Sequence, residues 1–150
     1  MFTETINKCA ATAERVVKLD RENPFGYWVA SMMAGAYVGL GIILIFTLGN
    51  LVDPALRPLV MGATFGIALT LVIIAGAELF TGHMMFLTLG VKTGRIGTGS
   101  ALRAALQSWG GNLLGSILVA WLFWQTGGGK LLPDGTSLLH SAALAKTQLP

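Results

Sequence analysis

The sequence predicts an all-α membrane fold, and three observations carry that prediction: long stretches without a charged side chain, little charge overall, and abundant glycine inside the apolar stretches. Of the 150 residues 53% are hydrophobic and 11% charged, with a mean hydropathy of +0.68. A soluble domain carries about 25% charged residues; with so few, this chain could not cover a water-facing surface. Its 20 glycines exceed what soluble helices tolerate, whereas in lipid small residues let helix backbones approach closely.

Residues Trp28 to Val52, Leu59 to Ala77 and Ala104 to Thr126 contain no charged side chain. Each matches the roughly 20 apolar residues that a spanning helix requires. A further run from Leu79 to Val91, interrupted by His83, is too short to span alone, and only Glu78 separates it from the second run. The two join into one broken span over 59–91, flanked by spans at 25–52 and 102–126. The interruption falls at 77–83, within Gly76-Ala77-Glu78-Leu79-Phe80-Thr81-Gly82-His83. Non-helical backbone survives at membrane depth only inside protein or beside a water-filled cavity, so the break is expected to face a lumen. The alternative is a continuous helix with Glu78 and His83 turned toward neighbouring helices.

Before the first span, residues 1–22 place Phe2, Ile6, Cys9, Ala13 and Val16 on one face at helical spacing, with Glu4, Lys8, Arg15 and Lys18 off it. This is an N-terminal amphipathic helix, lying either at the membrane surface or against the rest of the chain. Asn23-Pro24 ends it, and Phe25, Tyr27 and Trp28 follow as an interfacial aromatic cluster. The polar segment 127–150 contains Gly127-Gly128-Gly129 and Pro133-Asp134-Gly135. Lys8, Arg15, Lys18, Arg21, Lys92, Arg95 and Arg103 fall on one side of the spans, and Arg57, Lys130 and Lys146 on the other. The first side is therefore expected to be cytoplasmic, with the N-terminus inside. The N-terminus lacks the apolar core and cleavage site of a signal peptide.

Gly35 and Gly39, Gly62 and Gly66, and Gly111 and Gly115 form small-xxx-small pairs, one in each span, which predicts tight helix packing on more than one side. Cys9 is the one cysteine, which excludes an intramolecular disulfide and a thiolate metal cluster, and is read as a small buried residue. No nucleophile–base spacing, metal-ligand pattern or phosphate-cradling glycine motif is present. His83 and His140 are far apart in sequence without ligand partners, and His140 is read as an exposed polar residue. The expectation is no enzymatic activity, no cofactor, no metal and no nucleic-acid partner.

Conduction suits these residues better. The second half of a broken helix begins with unpaired N–H groups and a partial positive charge at mid-membrane. The Thr81 hydroxyl and the backbone at Gly82 are candidate donors to an anion, and Leu79 and Phe80 a candidate apolar constriction.

The stretch Ala75-Gly76-Ala77-Glu78-Leu79-Phe80-Thr81-Gly82, with Gly94-Arg95 and Trp109-Gly110-Gly111-Asn112-Leu113-Leu114-Gly115, resembles the formate/nitrite transporter family, and the likeness runs along the whole chain. That resemblance implies an aquaporin-like protomer of six spans, built as two inverted three-helix repeats, with five protomers in a ring in the bacterial inner membrane. It implies a channel for nitrite or a similar small monovalent anion, with formate or hydrosulfide as alternatives within the family. The constriction residues it implies are Phe65 and Leu69 before the break, then Leu79, Phe80 and Thr81 in the loop. Asn112 matches a family asparagine, and Lys146 a lysine that raises anion concentration in the outer vestibule. The family continues through three more spans, including a second broken helix with the central pore histidine, a position that His83 does not match. The expectation is thus one repeat and the beginning of a fourth span, part of a longer protein. A non-conducting three-helix membrane module is the competing function, and a continuous helix through Glu78–His83 would favour it.

Overall fold

The computed structural model describes residues 2–127 and 137–147. Six helices follow in order: α1 Phe2–Glu22, α2 Pro24–Leu51, α3 Arg57–Ile74, α4 Phe80–Lys92, α5 Thr98–Gln125 and α6 Ser137–Thr147. Among the described residues there is no strand. Gly128, Gly129, Lys130 and Pro133-Asp134-Gly135 lie outside the described residues, as does the side chain of His140.

Asn23 separates the first two helices as expected. Its side chain accepts a hydrogen bond from Gly26 N at 2.9 Å, and Pro24 opens α2, where a missing N–H costs nothing. α1 packs on α4 and also touches α2 and α5. Its buried side is Ala10, Ala13, Val16, Val17 and Asp20, which keeps Ala13 and Val16 of the expected stripe, while its start is uncovered: Phe2 is 75% exposed, Ile6 is exposed and Cys9 is half-buried. The close neighbour lies against the second half of the helix. A Cβ added to Gly90 of α4 would fall 2.6 Å from Ala13 Cβ, so α1 presents its smallest residues there.

α2 and α5 are the longest helices, with 28 residues each, and their backbones nearly touch. A Cβ on Gly35 would fall 1.9 Å from the Asn112 carbonyl oxygen, and one on Gly115 1.9 Å from that of Met32. Two of the three glycine pairs thus meet each other. The third does not: a Cβ at Gly62 or Gly66 would find nothing within 4 Å. α3 packs mainly on α2, through Ala68 against Gly41.

The arginines gather at one end. Arg95 reaches Glu14 and Asn7, Arg103 pairs with Asp20 at 3.1 Å, and Arg21 donates to Ser100. Arg57 lies at the other end, where it donates to the Gly49 carbonyl. α2 and α3 are long and apolar enough to cross a membrane. α5 has the length but is less apolar, because Gln107, Ser108, Asn112 and Ser116 interrupt it. It also begins at Thr98, before the expected 102, and Arg103 within it reaches out to Asp20. The 13 residues of α4 extend about 20 Å at 1.5 Å per residue, too short to span alone.

Candidate functional site: the interrupted helix between Ile74 and Phe80

The break is real but shorter and earlier than 77–83: α3 ends at Ile74 and α4 begins at Phe80. Gly76 sets the first boundary. It adopts φ +62°, its N–H bonds to Ile73 O, and Ala77 N–H bonds to Val72 O. These are the paired bonds of a Schellman ending, which needs a left-handed residue that glycine supplies without strain. Gly82 lies inside α4 and marks no boundary. Phe80, Thr81, Gly82 and His83 therefore form the first turn of the half-helix rather than part of the loop.

A single asparagine sets the second boundary. Leu79 is extended (φ −87°, ψ 120°) and gives no side-chain cap. The cap comes from α5: Asn112 Oδ1 accepts from Phe80 N at 3.0 Å, while Nδ2 donates to Glu78 O at 3.0 Å and Ser31 O at 2.9 Å. Ser108 Oγ also donates to Glu78 O at 3.1 Å, and Glu78 N donates to Ala30 O at 3.2 Å. Both Asn112 donors and its acceptor are used, and α2 and α5 together hold the loop.

Glu78 and His83 are buried at 2% and 6% exposure. They do not line an open face, contrary to the expectation that the break as a whole faces a lumen. Their side chains turn inward, toward one another at 2.7 Å (Oε2 to Nε2) and toward Arg15 of α1 and Tyr27 of α2. Tyr27 is fully buried, so it is not part of an interfacial aromatic cluster, though Phe25 beside it is 74% exposed.

The opposite side of the break is open. Thr81 and Gly82 are exposed, Leu79 and Phe80 are half-buried, and a Cβ on Gly82 would meet nothing within 4 Å. As the second and third residues of a helix, Thr81 and Gly82 have no intrahelical acceptor for their N–H groups. This is the arrangement in which a helix N-terminus attracts negative charge. On α3, Phe65 is half-buried near Gly41 while Leu69, one turn on, is 44% exposed. Among the described residues no hydrogen bond joins Phe65 or Leu69 to Leu79, Phe80 or Thr81. Lys146 is exposed in the last turn of α6. Among the described residues no three His, Cys, Asp or Glu side chains gather as a metal site.

Ser31 and Ser108 carried no expectation, and Tyr27 was expected only in the interfacial aromatic cluster. A signal was present: Ala104, Ser108, Asn112 and Ser116 recur every fourth residue of α5 and so share one face. A polar stripe along a membrane helix marks the side that serves backbone groups elsewhere.

The fold and the loop define an all-helical protein with two helices long and apolar enough to cross a membrane and a half-helix that starts at a break. The family model for formate/nitrite transporters matches residues 3–149. The chain is 69% identical over 150 residues to the nitrite transporter NirC of Salmonella typhimurium, covering all of this chain and 55% of that protein. It is 37% identical over 124 residues to a probable formate transporter of Methanothermobacter thermautotrophicus, covering 79% of this chain and 44% of the relative. A solved FNT family ion channel superposes with a TM-score of 0.90 at 68% identity, covering 99% of this chain and 59% of that one. The chain belongs to the formate/nitrite transporter family, and is a membrane protein accordingly. It spans about half the length of the curated relatives it matches.

Proposed function

We propose that the protein conducts nitrite, or a similar small monovalent anion, across the inner membrane of a bacterium, and that these residues form one wall of its pore. The observation that carries this reading is the start of α4 at Phe80, with the Thr81 and Gly82 amides on an open side and the ionisable pair Glu78–His83 on the closed side. A small anion is favoured there by partial charges and meets no fixed cation that would trap it. Phe65 and Leu69 on α3, with Leu79, Phe80 and Thr81 at the break, are the constriction in this reading. Lys146 gathers anions in the outer vestibule. Nitrite ranks ahead of formate because the relatives at 69% and 68% identity are named nitrite transporters, while those named for formate are 37% and 35% identical.

The exposed faces fit a larger assembly. Leu59, Ile73 and Ile74 of α3 are 71%, 77% and 80% exposed, apolar surface open to lipid or to further helices. In this proposal α2, the broken α3–α4 and α5 are one three-span repeat, a second inverted repeat completes the protomer, and five protomers form the ring. The arginine-rich end then faces the cytoplasm, with α1 inside.

Flux of nitrite into liposomes containing the full-length protein tests the reading. It is expected well above that of protein-free vesicles, and Leu79→Ala and Phe80→Ala are expected to change the rate, or the preference for nitrite over larger anions, by about tenfold, equivalent to about 1.4 kcal/mol at the barrier. Equal flux and selectivity in both variants would remove the constriction assignment. Absence of flux in the unaltered protein would favour the non-conducting module.

A further inference from the structure

The closed side of the break holds chemistry that conduction through the open side does not use. Glu78 Oε2 sits 2.7 Å from His83 Nε2, at ion-pair distance though not aligned as a hydrogen bond. Glu78 Oε1 lies 3.5 Å from Arg15 Nη2. On the far side of the imidazole, the Tyr27 hydroxyl lies 3.3 Å from His83 Nδ1 and 3.1 Å from Ala104 O. The Tyr27 and His83 rings lie nearly parallel, 6.3 Å apart.

Two hydrogen-bonding arrangements suit these contacts. With the Tyr27 proton on Ala104 O, His83 Nδ1–H donates to the tyrosine oxygen; with the hydroxyl donating to Nδ1, the ring carries its proton at Nε2. In both, a proton stands between Nε2 and Oε2, because two bare lone pairs would repel at 2.7 Å. Arg15 beside Oε1 supplies the cation that offsets the carboxylate.

The cluster is also mechanically placed. His83 closes the first turn of α4 through its N–H to Leu79 O, Tyr27 belongs to α2, and Arg15 to α1. The backbone of Glu78 is already gripped by Asn112, Ser108 and Ala30. We propose that Tyr27 and His83 are positioning residues of the pore wall: through the proton held between His83 and Glu78 they fix the first turn of α4, and with it Phe80 and Thr81, against α2. The effect on transport rests on the conduction reading; the effect on the loop does not.

The test compares Tyr27→Phe, His83→Leu and His83→Gln in the full-length protein, reading hydrogen exchange across residues 76–82 and the ratio of nitrite to formate flux in liposomes. Exchange at the break is expected to rise about tenfold in His83→Leu, as for loss of one buried polar contact, and to rise less in Tyr27→Phe. His83→Gln, which keeps an amide donor within reach of Glu78, is expected near the unaltered protein, and the flux ratio shifts in the same order. Exchange along α5 reports whether each variant is folded; if His83→Leu is not, Tyr27→Phe decides by the same two readings. Unchanged exchange and flux ratio in the variants that fold would overturn the assignment, as would a His83→Gln variant as disturbed as His83→Leu. The exchange pattern appearing in a protein without anion flux would overturn the conduction reading and leave the positioning roles standing.

Discussion

The α2–α5 seam and the outer face of α3 carry the same sequence pattern and have different fates. Both have glycines four residues apart. In the seam, added methyl groups at Gly35 and Gly115 would each lie 1.9 Å from a backbone oxygen, whereas Gly62 and Gly66 have open space beside them. A small-xxx-small pair therefore says that a helix can be approached closely but not whether its own chain makes the approach. The seam is also where the polar work is done. Asn112, Ser108 and Ser116 donate to backbone oxygens of Ser31, Glu78 and Gly35, which is possible only because the glycines bring the backbones within reach.

The largest effect should come from closing that gap. Gly35→Leu or Gly115→Leu sets a side chain against backbone that cannot move aside, a cost of about 3 kcal/mol or more. Folded protein recovered from membranes is expected to fall sharply, as read by size-exclusion chromatography. Next is Asn112→Ala, which leaves Phe80 N, Glu78 O and Ser31 O without that partner at a cost of about 2–3 kcal/mol. A lower Tm is expected together with faster exchange at the break, whereas faster exchange spread evenly over the protein would mean that Asn112 only supports general packing. Smaller still is Gly76→Ala, about 1 kcal/mol for a side chain held at φ +62°, measured as a modest fall in Tm. The smallest effect on this chain's own fold is expected from Gly62→Ala, within about 1 kcal/mol and slightly favourable to the helix. If native mass spectrometry finds the unaltered protein oligomeric and this variant monomeric, the open face is an assembly surface, which sharpens the contrast with the seam.

Much of this was legible in the sequence because membrane helices obey simple constraints. The charge-free runs gave α2, α3 and α5 to within a few residues, Asn23-Pro24 gave the first boundary, and the charged residue between two apolar runs gave the break. The interior of the break was not legible, because its edges depend on partners remote in sequence. Gly76 and Gly82 look alike on paper, but only Gly76 takes a left-handed conformation, and the helix restarts at Phe80 because a side chain 32 residues away caps it. Glu78 and His83 were recognisable as unusual; their inward direction was not, since it depends on Arg15 and Tyr27. Phe65, Leu69 and Lys146 were singled out by family resemblance, because an exposed apolar residue on one repeat looks the same whether it meets lipid or a pore.

The central claim is that the open side of the first turn of α4 borders the path of the anion. The direct measurement is the reaction rate of a small charged thiol reagent with Thr81→Cys in the full-length protein, in a Cys9→Ser background, with and without nitrite, using Leu87→Cys as the buried reference (Leu87 is 2% exposed). Position 81 is expected to react, nitrite to slow that reaction, and position 87 to stay inert. A thiol at position 81 that is unreactive, or reacts at a rate nitrite does not alter, would contradict the central claim.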